Sequence, residues 1–389
     1  MILKFLHTSD LHLGKTVNGF SMLEDQKFML QQLLGIAKAE EVDAVVIAGD
    51  VYDRSIPPAE AVTLLDAFLE KLAEAEIPVL MISGNHDSPE RLSFGSGLLQ
   101  RSGIYIQGEV EEPVRQVTLT DDLGPVHFFL LPFFKPAIVS EKNSEGAVGR
   151  VLAGQTAAQG VPDKGASKEG ERTVLVTHFF VTAGGKSPEL SEAETGVDVG
   201  GIDNVDVSWF ADFEYTALGH IHKAQRIGEG AVYYSGAPLA YSFSEAGAEK
   251  SVNLVTLREK GCVTVEKRIL HPLRRMRILN GTLSQLSDHM GLTEEEREDY
   301  IQARLTDKEE LIDPIGTLRS VYPNIMQIVF ADREERGDEG YALQTGHRQM
   351  STQELFGQFY EIVREEKLDE EGEKLIDEIV RELKKEEVE

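Results

Sequence analysis

Five short motifs contain side chains that bind metal ions, and each follows an apolar segment of the kind that forms a β-strand. In chain order the motifs are Asp10-Leu11-His12, Gly49-Asp50-Val51-Tyr52-Asp53, Gly84-Asn85-His86-Asp87, Thr177-His178 and Gly219-His220-Ile221-His222. Two cations held about 3.5–4 Å apart can activate water, clamp a phosphate and stabilise the charge that develops during hydrolysis. The five motifs together therefore predict a two-metal site that cleaves phosphate esters.

Asp50 is the natural candidate for a carboxylate that bridges the two cations. Gly49 stands directly before it and lets the backbone turn tightly at the end of the strand. A ligand set that mixes imidazole with carboxylate suits manganese, iron or zinc rather than calcium. The motifs therefore favour a site for divalent transition metals.

Two of the motifs contain metal-binding residues at alternate positions. Asp10 and His12 alternate along an extended segment, so both can face one cation only if the chain bends after Ser9. His220 and His222 have the same spacing, and we expect both to point to one side of a strand end. Each pair on its own is unspecific, and the inference depends on the joint occurrence of all five motifs in this order.

The third motif combines an amide, an imidazole and a carboxylate in consecutive positions. Asn85 can offer a neutral oxygen to a metal, while His86 beside the scissile phosphate can protonate the leaving oxygen or stabilise its charge. Asp87 has two possible roles. Its carboxylate either fixes the tautomer of His86, or it caps a helix that begins near Ser88.

The elements around the motifs predict a layered α/β fold, a β-sandwich flanked by helices. Amphipathic helices are predicted over 23–40 and from Pro58 to about Glu76, and a short helix over about 147–158. Predicted strands cover 2–8, 43–48, 78–83, 126–131, 173–177, 215–218 and 231–235, with a hairpin at 251–257 and 262–270. Ligands of α/β sheets gather beyond the carboxyl ends of strands, which is where all five motifs fall.

At 389 residues the chain exceeds one ordinary domain. We divide it into a phosphoesterase domain at 1–270, a small α+β capping domain at 271–331, a linker at 332–349 and a helical tail at 350–389. The capping domain is predicted to contain strands at 273–283, 299–304 and 324–331 and a helix within 308–320 that is opened by Asp313-Pro314 or slightly earlier. The tail has apolar residues at helical spacing, and from 352 onward 14 acidic against 6 basic residues. Such short helices gain little stability alone, so we expect the tail to dock, either on the core domain of this chain or on a partner. The reach that the linker gives it favours the partner.

Composition limits the possible functions. The net charge of −28 argues by itself against nucleic-acid binding and suggests a partner that supplies positive surface. Cys262 is the single cysteine, so no internal disulfide can form, and a reducing compartment is favoured. With no signal peptide and no apolar segment near the roughly 18 residues of a membrane span, we expect a cytoplasmic protein. No phosphate-binding loop is present, so the chain is not expected to hydrolyse ATP.

The motif set resembles that of the calcineurin-like metallophosphoesterases, and His7–Gly14 more narrowly resembles the opening of the SbcD family of nuclease subunits. The likeness covers about residues 1–240. It is weaker in the tail, where Gln353–Phe356 resembles the segment that docks on the coiled coil of the SbcC-type ATPase.

The resemblance implies a ligand set, a metal and partners. Asp10, His12, Asp50 and His222 would hold the first ion, and Asp50, Asn85, His178 and His220 the second, with His86 as a catalytic residue that is not a ligand. The implied metal is manganese. The implied partners are DNA, an SbcC-type ATPase and a second copy of the chain, which together would form a heterotetramer with two copies of each protein.

Three functions remain in competition. The first is a DNA nuclease, with double-strand exonuclease and single-strand or hairpin endonuclease activity, acting with SbcC in repair and recombination. The second is a phosphoesterase for a small phosphodiester or a phosphoprotein, and the third is a non-catalytic clamp on DNA or a partner. The first is favoured because the chain extends well beyond the roughly 250 residues that a small phosphoesterase needs.

The helix after Pro58 is one possible contact between two copies of the chain. Its apolar residues form two stripes, which are Val62, Leu65, Leu69 and Leu72 on one and Leu64 and Phe68 on the other. Two apolar faces are more than a surface helix needs. The helix is either buried between the core and a loop, or part of a helix bundle between two copies of the chain.

Overall fold

Most strands of the protein belong to two six-stranded sheets. The computed structural model describes residues 2–139, 141–158, 171–191, 204–309, 311–331 and 372. The strands are β1 (Leu3–Thr8), β2 (Thr16–Val17), β3 (Phe20–Ser21), β4 (Ala44–Ala48), β5 (Val79–Ile82), β6 (Ile104–Gln107), β7 (Arg115–Asp121), β8 (Gly124–Leu131), β9 (Arg172–His178), β10 (Phe180–Thr182), β11 (Asn204–Asp206), β12 (Tyr215–Gly219), β13 (Gln225–Arg226), β14 (Val232–Tyr234), β15 (Lys250–Leu257), β16 (Val263–Leu270), β17 (Met276–Gly281), β18 (Tyr300–Leu305) and β19 (Ile325–Phe330). The α-helices are α1 (Leu23–Ala39), α2 (Ala59–Glu74), α3 (Pro89–Leu92), α4 (Ser96–Leu99), α5 (Ser144–Ala158), α6 (Leu283–Ser287), α7 (Glu294–Arg297) and α8 (Pro314–Arg319).

The first sheet has the order β16-β15-β1-β4-β5-β6. Strands β1, β4, β5 and β6 run parallel, while β15 pairs antiparallel with both β1 and β16. The carboxyl ends of β1, β4 and β5 are therefore neighbours at one edge of this sheet. The first three motifs directly follow these three strands.

The second sheet has the order β13-β14-β12-β9-β8-β7. Its central strands β8, β9, β12 and β14 run parallel, and β7 and β13 pair antiparallel at the two edges. The fourth motif ends β9 and the fifth begins with the last residue of its neighbour β12. The two remaining motifs thus lie side by side on the second sheet.

Three apolar clusters hold these layers together. One lies between the two sheets and contains Phe5, Val46, Phe128 and Tyr215. A second packs α1 and α2 on the outer face of the first sheet, and a third packs α5 on the outer face of the second. Because β4 and β5 are buried along their whole length, their sequences are continuous apolar runs, as parallel strands covered on both faces require. The layered α/β architecture expected from the sequence is confirmed.

Helix α2 packs against α1, and its main stripe faces the core of the same chain. Leu65, Phe68, Leu69 and Leu72 are all buried, and Leu64 is partly buried against the same cluster. Val62 alone among the residues of the two stripes is largely exposed. The apolar content of this helix is therefore mostly explained by packing within the chain.

A third sheet of three strands, in the order β17-β18-β19, follows the hairpin of β15 and β16. Helices α6, α7 and α8 connect its strands, and both α6 and α7 begin with a capping box. Helix α8 begins at Pro314 with the side chain of Asp313 as its cap, which confirms the expected opening at Asp313-Pro314. The expected linker at 332–349 and helical tail at 350–389 lie, Gly372 apart, outside the described residues.

Candidate metal centre

The backbone after β1 turns in the way the first motif requires. Asp10 and His12 both have positive φ, at 54° and 43°. Their N–H groups donate to the carbonyl oxygens of Gly49 and Asp50, at 3.0 Å each. Left-handed backbone is unfavourable for residues other than glycine, so these hydrogen bonds to the loop after β4 hold the turn in place. The expected bend after Ser9 is present.

Two glycines allow the strand ends to come together. Gly49 has a φ of 87°, and a Cβ atom there would overlap the ring of His178. A Cβ atom at Gly84 would overlap the carboxylate and the backbone nitrogen of Asp50. Neither position has room for another side chain, because the loops from different strands are in direct contact here.

The first group of metal-binding atoms comes from both sheets. The side chains of Asp10, His12 and His222 present ligand atoms that all lie within 4.8 Å of one another. The Nε2 atoms of His12 and His222 are 3.1 Å apart, and His12 Nε2 is 3.8 Å from Asp50 Oδ2. Two ligands bound to one ion at about 2.1 Å stand roughly 3.0–3.4 Å apart, so the separation of His12 and His222 suits a shared ion, and Asp50 lies slightly farther from His12.

The second group adjoins the first through Asp50. The Nε2 atom of His178 is 3.4 Å from Asp50 Oδ2 and 3.1 Å from Asn85 Oδ1. The Nδ1 atom of His220 is 2.9 Å from the same amide oxygen. Asp50 therefore stands between the two groups, and all seven residues expected as ligands meet at one place.

The expectation that His220 and His222 point to one side was wrong. His220 lies beside Asn85 and His178, whereas His222 lies beside His12. The backbone of His220 has a φ of 104°, which breaks the regular alternation of the strand before His222. The two histidines consequently belong to different groups of ligand atoms.

Burial and mutual attraction set the protonation of these side chains. Burial lowers the pKa of His12 to about 4 and that of His220 to about 3, so both rings are neutral at pH 7. Burial also raises the pKa of Asp10 to about 7. Neutral imidazole is the form that binds a metal. Most of the histidines are thus ready to act as ligands.

Asp50 and His178 differ from the neutral histidines, because their strong mutual attraction favours the charged form of both side chains. Burial opposes the charge on Asp50, but the adjacent His178 outweighs it and lowers the pKa of the carboxyl. Burial likewise opposes protonation of His178, and Asp50 outweighs it, so the pKa of the ring rises to about 9. A cation held by both groups would replace the proton on His178. Buried carboxylates, neutral rings and an amide oxygen fit divalent metal ions.

His86 lies at the solvent side of the centre. Its side chain is 43% exposed, its Nδ1 atom is 3.0 Å from the carbonyl oxygen of Asp53, and its Nε2 atom is 3.9 Å from Asp50 Oδ2. A substrate can reach this ring, as the expected catalytic role requires. The ring also forms a group with His12 and Asp50 whose ligand atoms lie within 4.8 Å. Experiment therefore has to distinguish the catalytic role from that of a ligand.

Asp87 has neither of its two expected roles. Its carboxylate accepts hydrogen bonds from the backbone N–H groups of Val51, Tyr52 and Gly84, at 2.8–3.0 Å. It does not fix the His86 ring, whose Nδ1 atom meets a carbonyl oxygen instead, and the cap of α3 is the side chain of Ser88. Asp87 therefore ties the loop after β4 to the loop after β5, and this tie positions the motif residues of both loops.

Three basic residues outside the motifs are paired with carboxylates. Lys15 Nζ is 2.7 Å from Asp53 Oδ1, so these two side chains form an ion pair. Arg274 pairs with Glu24 and Asp25. Arg277 pairs in the same way with Glu296 and Asp299, so both arginines at the start of the third sheet take part in salt bridges.

Gln26 and Tyr241 contact the ligand loop, although no motif contains them. Gln26 is fully buried on α1 and Tyr241 is 4% exposed. Gln26 interrupts an apolar stripe made by Met22, Met29 and Leu33, and such a polar residue on a buried helix face needs hydrogen-bond partners. That interruption was the available signal for Gln26, while Tyr241 has none in its local sequence.

Family models match two parts of the chain. Residues 3–224 match the calcineurin-like phosphoesterase family, and residues 271–364 match the domain described as "Type 5 capsule protein repressor C-terminal domain". The fold, the ligand set and the first match, which covers more than half of the chain, define a metal-binding phosphoesterase of the calcineurin-like class. No helix among the described residues is long and apolar enough to cross a membrane.

Two curated relatives identify the branch of this class. The first, named as the D subunit of the SbcCD nuclease of Staphylococcus epidermidis, is 32% identical over 369 residues, which are 91% of this chain and 95% of the relative. The protein of the same name from Staphylococcus saprophyticus subsp. saprophyticus is 33% identical over 337 residues, or 84% of each chain. The chain therefore belongs to the SbcD nuclease-subunit family within the calcineurin-like phosphoesterases. Among solved structures, TT1561 of Thermus thermophilus is 14% identical with a TM-score of 0.40, over 69% of this chain and 99% of that one.

Proposed function

We propose that this chain is the metal-dependent nuclease subunit of an SbcC–SbcD complex and hydrolyses DNA phosphodiesters in repair and recombination. The observation that carries the proposal is the meeting of seven metal-binding side chains from both sheets around Asp50. The relatives named as D subunits of the SbcCD nuclease support DNA as the substrate. Its activities are double-strand exonuclease and single-strand or hairpin endonuclease, in the cytoplasm.

The centre binds two divalent cations, and the expected metal is manganese. Asp10, His12, Asp50 and His222 hold the first, and Asp50, Asn85, His178 and His220 hold the second. The positions of the histidines and of Asn85 on either side of Asp50 support this division, while Asp10 lies within reach of His178 as well as of His12 and His222. When bound, the two ions supply Lewis acidity, which lowers the pKa of water and stabilises charge on phosphate oxygens.

His86 acts on the leaving group. Its ring is the exposed imidazole at the mouth of the centre, so a DNA phosphate reaches it without displacing a buried residue. The carbonyl oxygen of Asp53 beside Nδ1 favours the tautomer with a proton on that nitrogen in the neutral ring, and orients the ring. Protonation of both nitrogens lets Nε2 donate a proton to the leaving oxygen, or stabilise its charge by a hydrogen bond.

The regions after residue 270 serve assembly rather than chemistry. Residues 271–331 are the capping domain, 332–349 the linker and 350–389 the helical segment that docks on an SbcC-type coiled-coil ATPase. The separate three-stranded sheet and the second family match from residue 271 support this division. The docked partner supplies the positive surface that a chain with a net charge of −28 needs near DNA.

Two copies of the chain pair in the assembled complex, which makes a heterotetramer with two ATPase subunits. Support comes from large apolar side chains exposed on the segments that follow β4 and β5. These are Ile56 at 65%, Val62 at 45%, Phe94 at 87% and Leu98 at 70% exposure. Large apolar side chains left exposed in this way are typical of a surface that another protein covers. This surface, rather than the buried stripes of α2, is the basis for the homodimer.

The decisive assay compares substrates. The purified chain with Mn²⁺ is incubated with linear double-stranded DNA, with a DNA hairpin and with the chromogenic diester bis(p-nitrophenyl) phosphate. Cleavage of DNA that EDTA stops and added Mn²⁺ restores is the expected result, and the Asp50→Asn variant is the inactive control. Hydrolysis of the small diester without DNA cleavage, both alone and with SbcC, would indicate a small-molecule phosphoesterase. Two bound metals without any hydrolysis would indicate a clamp.

A further inference from the structure

Two buried residues that belong to none of the motifs hold the carbonyl oxygens of the loop after β1. The hydroxyl of Tyr241 donates a 2.5 Å hydrogen bond to the carbonyl oxygen of Leu11. Gln26 Nε2 donates to the carbonyl oxygen of His12 at 2.7 Å and to the Tyr241 hydroxyl at 3.2 Å. Gln26 Oε1 accepts from the N–H of Gly14 at 3.0 Å. Gln26 and Tyr241 thus form one connected network around this loop.

This network completes the restraint of a strained turn. The N–H groups of the loop donate to the segment after β4, as described above, while its carbonyl oxygens face the other way, toward Gln26 and Tyr241. With both sides of the loop bonded, the positive φ angles of Asp10 and His12 are maintained without glycine. If either partner is lost, a buried carbonyl oxygen keeps a second donor, Lys15 N–H for His12 or Gln26 Nε2 for Leu11, but loses its shortest hydrogen bond, so the loop is held less firmly.

Tyr241 also contacts two of the imidazoles directly. Its ring lies edge-on to His12, with centroids 5.6 Å apart, and to His222, with centroids 6.0 Å apart. These are the two histidines of the first group of ligand atoms. Among the described ring contacts of Tyr241, none involves His178 or His220 of the second group. The effect of this residue is therefore expected on one side of the centre.

Tyr241 supports the first group through its backbone as well. Its N–H donates to Glu245 Oε1 at 3.1 Å, and the same oxygen lies 4.0 Å from His222 Nδ1. Lys250 Nζ pairs with the other oxygen of Glu245. The segment from Tyr241 to Glu245 thereby borders His222 on one side, while the Tyr241 ring borders His12. Residues of this kind, which orient a ligand without touching the metal, commonly change metal affinity by about 10- to 100-fold.

We propose that Gln26 and Tyr241 are positioning residues that set the affinity of the first cation and leave the second largely unaffected. This inference rests on the two-metal centre proposed above and adds that these two residues affect only one of its two cations. It makes the occupancy of one half of the centre depend on α1 and on the segment before β15. Neither element contributes a ligand.

The test is a Mn²⁺ titration by calorimetry of the full chain and its variants. Tyr241→Phe removes the hydroxyl and keeps the ring, and Gln26→Met removes the amide at similar volume. Each is expected to weaken one of two binding events by about tenfold or more while the other keeps its affinity. The Mn²⁺ concentration for half-maximal cleavage should rise by a similar factor. Tyr215→Phe is the matched control, because its buried hydroxyl bonds to His7, which is not a ligand.

Two double variants, in which Tyr241→Phe is combined with loss of a ligand, identify the ion whose affinity changes. In an Asn85→Ala background, which weakens the second group, Tyr241→Phe should still reduce Mn²⁺ affinity. In a His12→Ala background, which weakens the first group, it should have little additional effect. An equal loss of affinity for both ions, or an unchanged titration like that of Tyr215→Phe, would overturn this inference but not the two-metal centre. A wild-type chain that binds fewer than two Mn²⁺ ions would overturn the two-metal centre, and this inference with it.

Discussion

The Nε2 atom of His178 lies 3.4 Å from the Oδ2 atom of Asp50, although the two residues end strands of different sheets. His178 is the last residue of β9 and Asp50 follows β4, and the Nδ1 atom of His178 is 2.8 Å from the carbonyl oxygen of Ala48 at the end of β4. This contact joins the two sheets at the metal centre. Because each residue shifts the pKa of the other, the pair is preorganised to exchange a proton for a cation.

The first prediction separates catalysis from metal binding. His86→Ala should lower the rate of DNA cleavage by about 10²- to 10⁴-fold, the usual contribution of a general acid, while two Mn²⁺ ions remain bound. Asp50→Ala should lose activity and at least one ion, because Asp50 borders both groups. Metal content by mass spectrometry, measured beside cleavage, makes the comparison. Loss of metal from His86→Ala would show that His86 is a ligand, as its contact with His12 and Asp50 allows.

The second prediction concerns the close approach of the loops after β4 and β5. Gly84→Ala adds a Cβ atom where the Asp50 carboxylate lies, so Asp50 must move and Mn²⁺ affinity should fall by about 10- to 100-fold. Gly35→Ala on the exposed face of α1 is the control, since nothing lies within 4 Å of its Cβ position. That variant should keep its affinity and gain up to about 1 kcal/mol of stability. Calorimetric titration and thermal unfolding are the measurements, and equal affinities in the two variants would contradict the prediction.

The third prediction uses the buried ion pair of Arg172 and Asp121 at the far ends of the sheets. Arg172 is 1% exposed, and it also donates to the carbonyl oxygens of Gly124 and Leu257. Asp121→Ala leaves this charge without its partner, and should lower the free energy of unfolding by about 3–5 kcal/mol at pH 7. The hydrogen bond from Arg172 is the main reason that the pKa of Asp121 falls from 3.8 to about 2.

The sign of the pH dependence follows from that lowered pKa. The stabilisation by charged Asp121 is complete above pH 3.8 and is lost as the pH falls toward about 2. The stability difference between wild type and Asp121→Ala should therefore be constant near neutrality and shrink in acid. Urea unfolding from pH 3 to 7 measures it, with Asp288→Ala at an exposed position as the control. A difference that stays constant down to pH 3 and does not begin to narrow below pH 4 would exclude this account.

The fourth prediction tests the proposed dimer surface. Val62→Glu and Leu98→Glu put charges on exposed positions, so the chain should stay folded while its mass by light scattering falls from dimer to monomer. Leu65→Glu, at a position only 4% exposed, should instead unfold the protein. Ile312→Glu is the control, because Ile312 is 93% exposed on a different part of the chain. A wild-type chain that is monomeric at micromolar concentration would refute the dimer of the isolated protein.

The fifth prediction concerns the tail. Deletion of residues 350–389 should leave Mn²⁺-dependent cleavage of a short DNA largely intact and abolish co-purification with SbcC. The proposed metal ligands all lie before residue 223, and the deletion removes none of them. Circular dichroism of the truncated chain controls for folding. If the truncated protein still binds SbcC at full strength, or its nuclease core unfolds, the tail is not the docking element.

The local sequence was sufficient to predict the strands that are buried on both faces. Strands such as β4 and β5 are continuous apolar runs because they are buried on both faces, and each motif residue directly follows such a run. Strand β7 was missed, because it is an edge strand with a mostly polar sequence and forms by pairing with β8. Its apolar content alone is too low to predict it.

The order of apolar runs and polar motifs along the chain is enough to predict which residues stand at strand ends, and therefore where metal-binding side chains gather. How those residues divide between two groups of ligand atoms depends on the packing of the two sheets. His220 and His222 are two positions apart, yet they face Asn85 and His12 respectively, because the second sheet packs its strand ends against those of the first. The roles of Asp87 and Tyr241 follow from backbone partners that the local sequence does not identify, and for Gln26 the local pattern indicates only that a partner is needed. Chain spacing fixes a side chain's position on its own strand, whereas its partners depend on the packing of the two sheets.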